Sequence, residues 1–150
     1  MDSKRLIINL IMLTESEAIV ANESTNSSNN SIADFAKYEE SKNAEKVLIE
    51  DIVVGTGPEV KVGSQVSVHY RGWLTNGQVF DESYGRGEPF SFIPGERRVI
   101  TGWEEGTIGM QPGGKRRLVV PPVAGYGSRP VGTIPANSVL VFDIELLEVR

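Results

Sequence analysis

The sequence predicts an α+β domain, in which a mainly antiparallel sheet of about five strands wraps on one short helix. Apolar residues alternate with polar ones over residues 65–74 and again over residues 140–146, a period of two that is typical of half-buried strands. Between these segments, Ile100 and Trp103 stand three residues apart, the spacing that places two side chains on one face of a helix. Strands on both sides of a brief helical segment indicate a sheet packed against a helix.

The composition fits one globular domain and excludes several kinds of site. The chain has 150 residues and a net charge of -5, which argues against nucleic acid as a partner because phosphate binding needs clustered cations. It has no Cys and one His, which excludes thiol nucleophiles, disulfides, zinc–thiolate centres and multi-histidine metal sites. We therefore expect no cofactor, no metal and no nucleic-acid partner. The one basic run, residues 115–117, is interpreted as the solvated flank of a strand.

Residues 1–21 have the order of a secretory signal peptide. Lys4 and Arg5 precede an apolar run at residues 6–13, and small residues lead to a cleavage point after Ala21. This order favours export to a periplasmic or similar compartment over a cytoplasmic location, and the alternative is a frayed apolar tail. The apolar run is too short to span a bilayer, so we expect no stable membrane insertion.

The rest of the N-terminal segment is polar. Residues 22–31, rich in Ser and Asn, predict a flexible linker. Phe35 and Ala36 then fall at helical spacing from Ile32, and two interpretations are open: a short amphipathic helix, or a charged and mostly disordered tether. The β pattern begins at Lys46, which divides the chain into an N-terminal segment, residues 1–45, and a domain, residues 46–150.

The first half of the domain is predicted to form strands joined by turns. Residues 47–54 are rich in Val and Ile and end at a Gly-Pro turn, after which the alternating strand follows. Asn76-Gly77 predicts a hairpin with a type I′ turn, from which residues 78–81 return as the partner strand. A polar loop then leads to a short strand at residues 90–92.

The second half holds the short helix and the closing strands. Pro94 brings the chain extended into the helical segment, which its glycines keep short. Residues 115–120 alternate as a strand that Pro121 stops, because proline lacks the donor that a ladder needs. A long irregular loop, residues 123–138, precedes the last strand at residues 139–149, and loops of this length in a compact domain are usually functional or disordered.

The familiar catalytic constellations find no support in the residues. His69 is predicted on the solvent face of its strand, where it would not act as a base. Four acids near turns and the helix are interpreted as loop and helix solvation, since nothing local sets a catalytic separation between them. These acids are Asp81, Glu82, Glu104 and Glu105.

Aromatic residues from different strands and loops remain as the candidate site. Such a set fits a ligand cleft with a few polar groups, and for each residue ordinary core packing is the alternative. The set comprises Tyr70, Phe80, Phe90, Phe92, Trp103, Tyr126 and Phe142.

Short motifs follow one another through the domain. They are residues 68–72 (VHYRG), 77–81 (GQVFD), 89–92 (PFSF), 99–106 (VITGWEEG), 125–127 (GYG), 134–135 (IP) and 140–146 (LVFDIEL). In this order and spacing, they make the chain resemble the FKBP-type peptidyl-prolyl cis-trans isomerases over about residues 46–150.

The resemblance implies an FKBP-like half-barrel with a pocket between the curled sheet and the helix, and Trp103 as the pocket floor. It implies these catalytic-site residues: Tyr70, Phe80, Asp81, Arg86, Phe90, Val99, Ile100, Trp103, Tyr126 and Phe142, with Ile134 from the substrate-binding loop. Asp81 is expected to stay ionised across neutral pH, because the nearby Arg86 lowers a carboxyl pKa. The loop between Gly127 and Ile134 is shorter than in the family's small human prototype.

The function that the resemblance implies is rotamase activity on proline-containing polypeptides in protein folding. Macrolide inhibitors such as rapamycin are implied as further ligands, and we expect the isolated domain to be monomeric. The alternative is a non-catalytic peptide-binding chaperone, a holdase, on the same fold, because a fold does not by itself set an activity.

Overall fold

The computed structural model describes residues 35–150, in which a six-stranded antiparallel sheet curls around a short α-helix. The strands are β1 (Leu48–Val53), β2 (Val66–Leu74), β3 (Val79–Glu82), β4 (Phe90–Phe92), β5 (Lys115–Val120) and β6 (Leu140–Val149), and the helix is α1 (Thr101–Gly106). The predicted fold class is confirmed, with six strands where about five were expected. The predicted signal peptide and linker lie outside the described residues. Over residues 35–150, no helix has the length and apolar character needed to cross a membrane.

The strands run in the order β1-β5-β6-β2-β3, and every neighbouring pair is antiparallel. β4 also pairs with β2, at residues 66–68, while β3 pairs with it at residues 71–73. β3 and β4 therefore share one edge of β2, and the connection between them passes Tyr70, which lies between the two paired stretches.

The two faces of the sheet differ in burial, as the alternation predicts. On β6, Leu140, Phe142, Ile144 and Leu146 are all 0% exposed and belong to the same buried cluster as Trp103 of α1. Alternate residues of β2 are buried in the same way. The inner face of the sheet and the helix together enclose the main core.

α1 approaches β5 closely because two helical positions are glycine. A Cβ atom on Gly102 would lie 2.7 Å from Val120 Cγ1, and one on Gly106 would lie 2.7 Å from Leu118 Cδ1, which is closer than real Cβ atoms come. The glycines therefore do more than keep the helix short, since they set its distance from the sheet. The predicted short helix begins at Thr101, directly after an extended Ile100.

The β2–β3 hairpin forms where predicted, but the prediction of a type I′ turn is wrong. That turn needs positive φ at both central residues, and in this loop only Gly77, with φ 89°, has it. The Gly77 N–H donates to the Leu74 carbonyl, and the Leu74 N–H donates to the Gln78 carbonyl, both at 2.9 Å. The loop is therefore longer than the two-residue loop of a type I′ hairpin. The Asn76 side chain accepts from the Gln78 N–H at 2.9 Å, a local bond that stabilises this alternative.

The outer face of the sheet carries a smaller core that residues 35–43 help to form. This segment makes helical turns, and it buries Phe35 and Tyr38 against Val141 and Trp73. The Phe35 and Trp73 ring centroids are 4.9 Å apart, and the Tyr38 hydroxyl donates to Glu50 at 2.9 Å. Of the two interpretations left open for this stretch, the described residues show helical turns rather than a tether.

The basic run at the start of β5 was interpreted as a solvated flank, and this interpretation is wrong. Arg116 is 9% exposed, donates to carbonyls at the end of α1 and pairs with Asp51 at 2.7 Å. Arg117 makes two hydrogen bonds to Asp143, at 2.7 and 2.9 Å, on the outer face. Strand alternation sends the two guanidinium groups to opposite faces, and each finds anionic partners there.

Candidate active site

Trp103 is the centre of an aromatic cluster inside the curl of the sheet. Its ring centroid lies 4.9 Å from that of Tyr70, 5.3 Å from Phe142, 5.6 Å from Phe92 and 5.8 Å from Phe90. The contacts with Tyr70, Phe90 and Phe142 are edge-to-face, an arrangement that aromatic pairs favour. Because β2, β4 and β6 each contribute a ring, the cluster depends on the strand order described above.

A bulge in β3 turns Phe80 and Asp81 to the same side of the sheet. Consecutive residues of a regular strand point to opposite faces. Gly72 pairs with Asp81, yet the next residue, Trp73, pairs with Val79, so Phe80 is an extra residue on β3. The aromatic ring therefore enters the core, and the carboxylate beside it also faces inward.

Gly72 provides the space that two of these rings occupy. A Cβ atom on Gly72 would lie 2.7 Å from Phe80 Cζ and 2.9 Å from Phe142 Cε1. The Phe80 and Phe142 rings meet edge-to-face, with centroids 5.5 Å apart. A larger residue at position 72 would push apart two of the predicted pocket walls.

Tyr70, Asp81 and Arg86 form a polar group at the edge of the cluster. The Tyr70 hydroxyl donates to Asp81 Oδ2 at 2.7 Å and accepts from Arg86 Nη2 at 3.3 Å. Arg86 Nη1 lies 3.5 Å from Asp81 Oδ1, at the outer limit of a hydrogen bond. The arginine comes from the 3-10 turn Tyr84–Arg86 in the connection between β3 and β4.

The expectation that Asp81 stays ionised across neutral pH is wrong, because burial raises the pKa of Asp81 to about 7. The Tyr70 hydrogen bond and the Arg86 charge, 3.5 Å away, both act to lower this pKa, but they do not offset the burial of Asp81, which is 0% exposed. Loss of hydration therefore dominates. The same burial, with the Asp81 charge, raises the pKa of the Tyr70 hydroxyl, which stays a donor.

Two buried donors at the cluster have no hydrogen-bond partner among the described residues: Trp103 Nε1 and the Tyr126 hydroxyl. Tyr126 follows the 3-10 turn Pro122–Ala124 and belongs to the buried cluster around Trp103. Burial raises the pKa of Tyr126, so its hydroxyl keeps its proton. Buried polar groups are normally hydrogen-bonded, so these two donors suit a ligand that brings acceptors.

The other predicted site residues also lie in or beside the cluster around Trp103, and most of them are buried. Val99, Ile100 and Ile134 are 3%, 1% and 2% exposed and lie in the core around Trp103. Phe90 and Arg86 are half-buried, and they mark where the cluster meets solvent. The structure thus brings the predicted side chains together, while their catalytic roles stay predictions.

Two surface cavities of about 230 Å³ lie elsewhere, and Trp103 lines neither of them. One lies between the segment of residues 37–43, the β2–β3 turn and residues 135–139. The other lies beside β4 and is lined by Gln65, Ser91, Phe92, Ile93, Glu96 and Arg98. The second cavity borders the loop that leads into Val99 and Ile100.

Reasoning from the sequence missed Ser83, which was placed in a polar loop. Ser83 is 0% exposed, and its hydroxyl accepts from the Tyr70 N–H at 2.8 Å and lies 2.8 Å from His69 Nδ1. The Ser83 N–H donates in turn to the Tyr70 carbonyl at 2.9 Å. Ser83 thus holds the backbone of Tyr70 from the outer side, where His69 lies half-buried.

Glu104 was interpreted as helix solvation, and this interpretation is wrong. Its carboxylate accepts from the N–H groups of Gly95 at 2.9 Å and Arg97 at 3.3 Å. These partners lie on the loop before α1, several residues away along the chain, so no local pattern reveals the contact. Glu82 is also buried and pairs with Arg71 at 2.8 Å.

Comparison with known proteins yields one family. The family model described as FKBP-type peptidyl-prolyl cis-trans isomerase matches residues 57–147. The FK506-binding protein of Neisseria meningitidis serogroup A is 46% identical over 104 residues, which are 69% of this chain and 95% of that protein. The crystal structure of AtFKBP13 is similar with a TM-score of 0.64 and 44% identity, over 69% of this chain and 93% of that one.

A longer fungal protein is also similar. FK506-binding protein 4 of Chaetomium thermophilum is 56% identical over 104 residues, which are 69% of this chain. The match covers 21% of the length of that relative, so the similarity concerns one part of a larger protein.

Proposed function

Since this chain belongs to the family of FKBP-type peptidyl-prolyl cis-trans isomerases, we propose that it accelerates rotation about X–Pro bonds in polypeptides. We place this activity at the cluster around Trp103. The observation that carries the proposal is a pair of buried donors, Trp103 Nε1 and the Tyr126 hydroxyl, which have no partner within residues 35–150 and lie beside a packed aromatic surface. An apolar ring flanked by carbonyl groups, as proline is in a peptide, matches both features.

The reaction suits a site that has no nucleophile. Rotation about an amide bond has a barrier of about 18–20 kcal/mol because resonance between nitrogen and carbonyl must be lost. Water stabilises the planar, more polar form of the amide. An aromatic site that excludes water removes this stabilisation, and complementarity to the twisted form lowers the barrier further. No bond is made or broken, so no proton has to move.

Each residue then has a role that its position permits. Trp103 supports the proline ring, and the Tyr126 hydroxyl donates to a substrate carbonyl. The N–H of Ile100, which makes no hydrogen bond within the described part of the chain, donates to a second carbonyl. Asp81 acts through Tyr70. The Asp81 carboxylate accepts a hydrogen bond from the Tyr70 hydroxyl and so orients the Tyr70 ring against Trp103.

Macrolides are the second ligand class in this proposal. The relatives are named FK506-binding proteins, and a macrolide of that kind would compete with peptide for the same aromatic surface. The half-buried Phe90 and Arg86 mark the solvent-facing side from which such a ligand enters.

A protease-coupled assay on a short X–Pro peptide tests the proposal. The full chain should accelerate isomerisation, and Tyr126→Phe should lower kcat/KM roughly three- to tenfold, the effect of one lost hydrogen bond. Tyr84→Phe is the matched control, because the Tyr84 hydroxyl is bonded to Glu145 on the outer face and should not affect the rate.

Two results would contradict the proposal. A chain that binds the peptide and suppresses aggregation without accelerating the cis-to-trans step is a holdase. Equal effects of Tyr126→Phe and Tyr84→Phe on the rate would place the active site away from Trp103.

A further inference from the structure

Glu104 connects α1 to the loop that precedes it at more than one point. Its Oε1 accepts from the Gly95 N–H at 2.9 Å and the Arg97 N–H at 3.3 Å. Its own backbone N–H donates to the Ile100 carbonyl at 3.1 Å. One residue of the helix therefore contacts the beginning, the middle and the end of residues 95–100.

The loop has a conformation that needs such support. Arg97 has φ 57°, in the left-handed region that a residue with a Cβ atom rarely adopts, and Gly95 has φ 101°. These two residues point their N–H groups at the same carboxylate oxygen, the way in which backbone concavities hold anions. Without the anion, the backbone around Arg97 would lose the contact that compensates its unfavourable φ.

The Glu104 carboxylate is not explained by a surface ion pair. The side chain of Arg98 lies 3.9 Å from Glu96, and no cation within residues 35–150 forms a salt bridge with Glu104. Glu104 Oε2 is buried and has no hydrogen-bond partner among these residues. Within the described residues, this half-buried carboxylate accepts hydrogen bonds from backbone N–H groups and from no side chain, so it acts as part of the loop structure.

We propose that Glu104 is a positioning residue, which fixes residues 95–98 so that Val99 and the Ile100 N–H face the aromatic cluster in the geometry that substrate needs. This inference rests on the proposed function, because only that function makes Ile100 a substrate contact. Glu104 acts through the loop and does not touch the reacting bond.

The test compares three variants in the full chain. Glu104→Met keeps the side-chain length and helix propensity but removes the acceptor. Glu104→Gln keeps an oxygen that can accept from both N–H groups. Glu105→Met makes the same change at the neighbouring exposed position and serves as the matched control. The readouts are KM and kcat for an X–Pro peptide, and the hydrogen exchange of the amides of residues 95–100.

We expect Glu104→Met to raise KM roughly tenfold with a smaller change in kcat, because misplaced binding groups weaken the binding of the substrate. The Gly95 and Arg97 amides should exchange faster in this variant. Glu104→Gln should restore KM to within about threefold of the original, and Glu105→Met should behave like the original chain. If Glu104→Met does not fold, Glu104→Asp, which withdraws the carboxylate by one methylene, should show the raised KM.

An unchanged KM in Glu104→Met or Glu104→Asp overturns the inference, as does an equal effect of Glu105→Met. The two proposals fail separately. If the original chain does not accelerate isomerisation, the proposed function fails, while the exchange rates still show whether Glu104 holds the loop.

Discussion

At the scale of single residues, Asp81 is a buried acid that contacts the candidate site through Tyr70. Its carboxylate is removed from water and accepts a hydrogen bond of 2.7 Å from Tyr70 and a long one of 3.5 Å from Arg86. These contacts orient the side chain but do not replace the hydration that the charged form loses. Asp81 therefore changes its protonation state close to neutral pH.

This raised pKa predicts a pH dependence of stability. Burial raises the pKa of Asp81 from 3.8 to about 7, so between pH 4 and pH 7 the folded chain holds a proton that the unfolded chain releases. The contribution of Asp81 to stability is fully present below pH 4 and is lost as pH rises through about 7. Raising a pKa by one corresponds to about 1.4 kcal/mol of free energy, so the whole effect is a few kcal/mol at most.

Urea unfolding of the original chain and of Asp81→Asn at several pH values measures this effect. The variant cannot ionise, so its stability relative to the original should increase from pH 4 to pH 8, while contributions from other groups cancel. A difference that is constant over this range, or that decreases, would show that Asp81 keeps a low pKa.

At the scale of elements, α1 and the segment of residues 35–43 pack on opposite faces of the sheet. α1 lies on the inner face, where Gly102 and Gly106 allow its close approach to β5. Residues 35–43 lie on the outer face, where Phe35 and Tyr38 fill a small core with Trp73. The first contact shapes the candidate site, and the second is on the opposite side of the sheet.

Two deletions separate these contributions. Removal of residues 1–34 keeps all the contacts among residues 35–150, so we expect little change in the free energy of unfolding. Removal of residues 1–45 also takes away Phe35 and Tyr38 and exposes the outer-face core. Since truncation of a buried Phe alone typically costs about 3–5 kcal/mol, we expect the longer deletion to cost several kcal/mol. Both deletions should leave kcat/KM within a few-fold, because the described part of the segment, residues 35–45, packs on the face of the sheet opposite the candidate site.

Thermal unfolding and the peptide assay check this prediction, with Phe35→Ala as a point variant that should reproduce most of the loss in Tm. Equal Tm values for the two deletions would mean that residues 35–45 add no stability. A large loss of activity in the longer deletion would show that the outer face affects the site.

At the scale of the whole molecule, the site is assembled from distant parts of the chain. β2, β3, β4, β6, α1 and the loop that carries Tyr126 all contribute side chains to it. A ligand that binds there contacts several of these elements at once. Because the unfolded chain lacks this arrangement, such a ligand stabilises the whole folded domain. Local and global stability are therefore coupled at this site.

We expect a macrolide of the FK506 or rapamycin class to raise the Tm of the chain. A ligand at about 100 times its Kd adds about 2.7 kcal/mol to the free energy of unfolding. Differential scanning fluorimetry with increasing macrolide measures the change in Tm. Phe80→Ala should reduce that change, because the variant removes one of the proposed pocket walls. If saturating macrolide raises Tm equally in the original chain and in Phe80→Ala, the ligand binds elsewhere.

Much of the fold and of the candidate site could be predicted because the evidence for it is local. The alternation along β2 and β6 reports which side chains face the core, since the pleat reverses direction at every residue. Pro94 and the short stretch around Trp103 mark the helix, and the family motifs place the aromatic residues on the right elements. These features depend on neighbours within a few positions, which the sequence displays directly.

The tertiary structure alone decided the features that depend on residues far apart. The bulge that brings Phe80 and Asp81 to one side arises from pairing with β2, and the loop around Asn76 and Gly77 closes through bonds between Leu74, Gly77 and Gln78 that the Asn-Gly pair alone does not specify. The raised pKa of Asp81 comes from burial, and burial is a property of everything packed around a group. For the same reason, the partners of Glu104 and Arg116 could be seen only once the chain had folded back on itself.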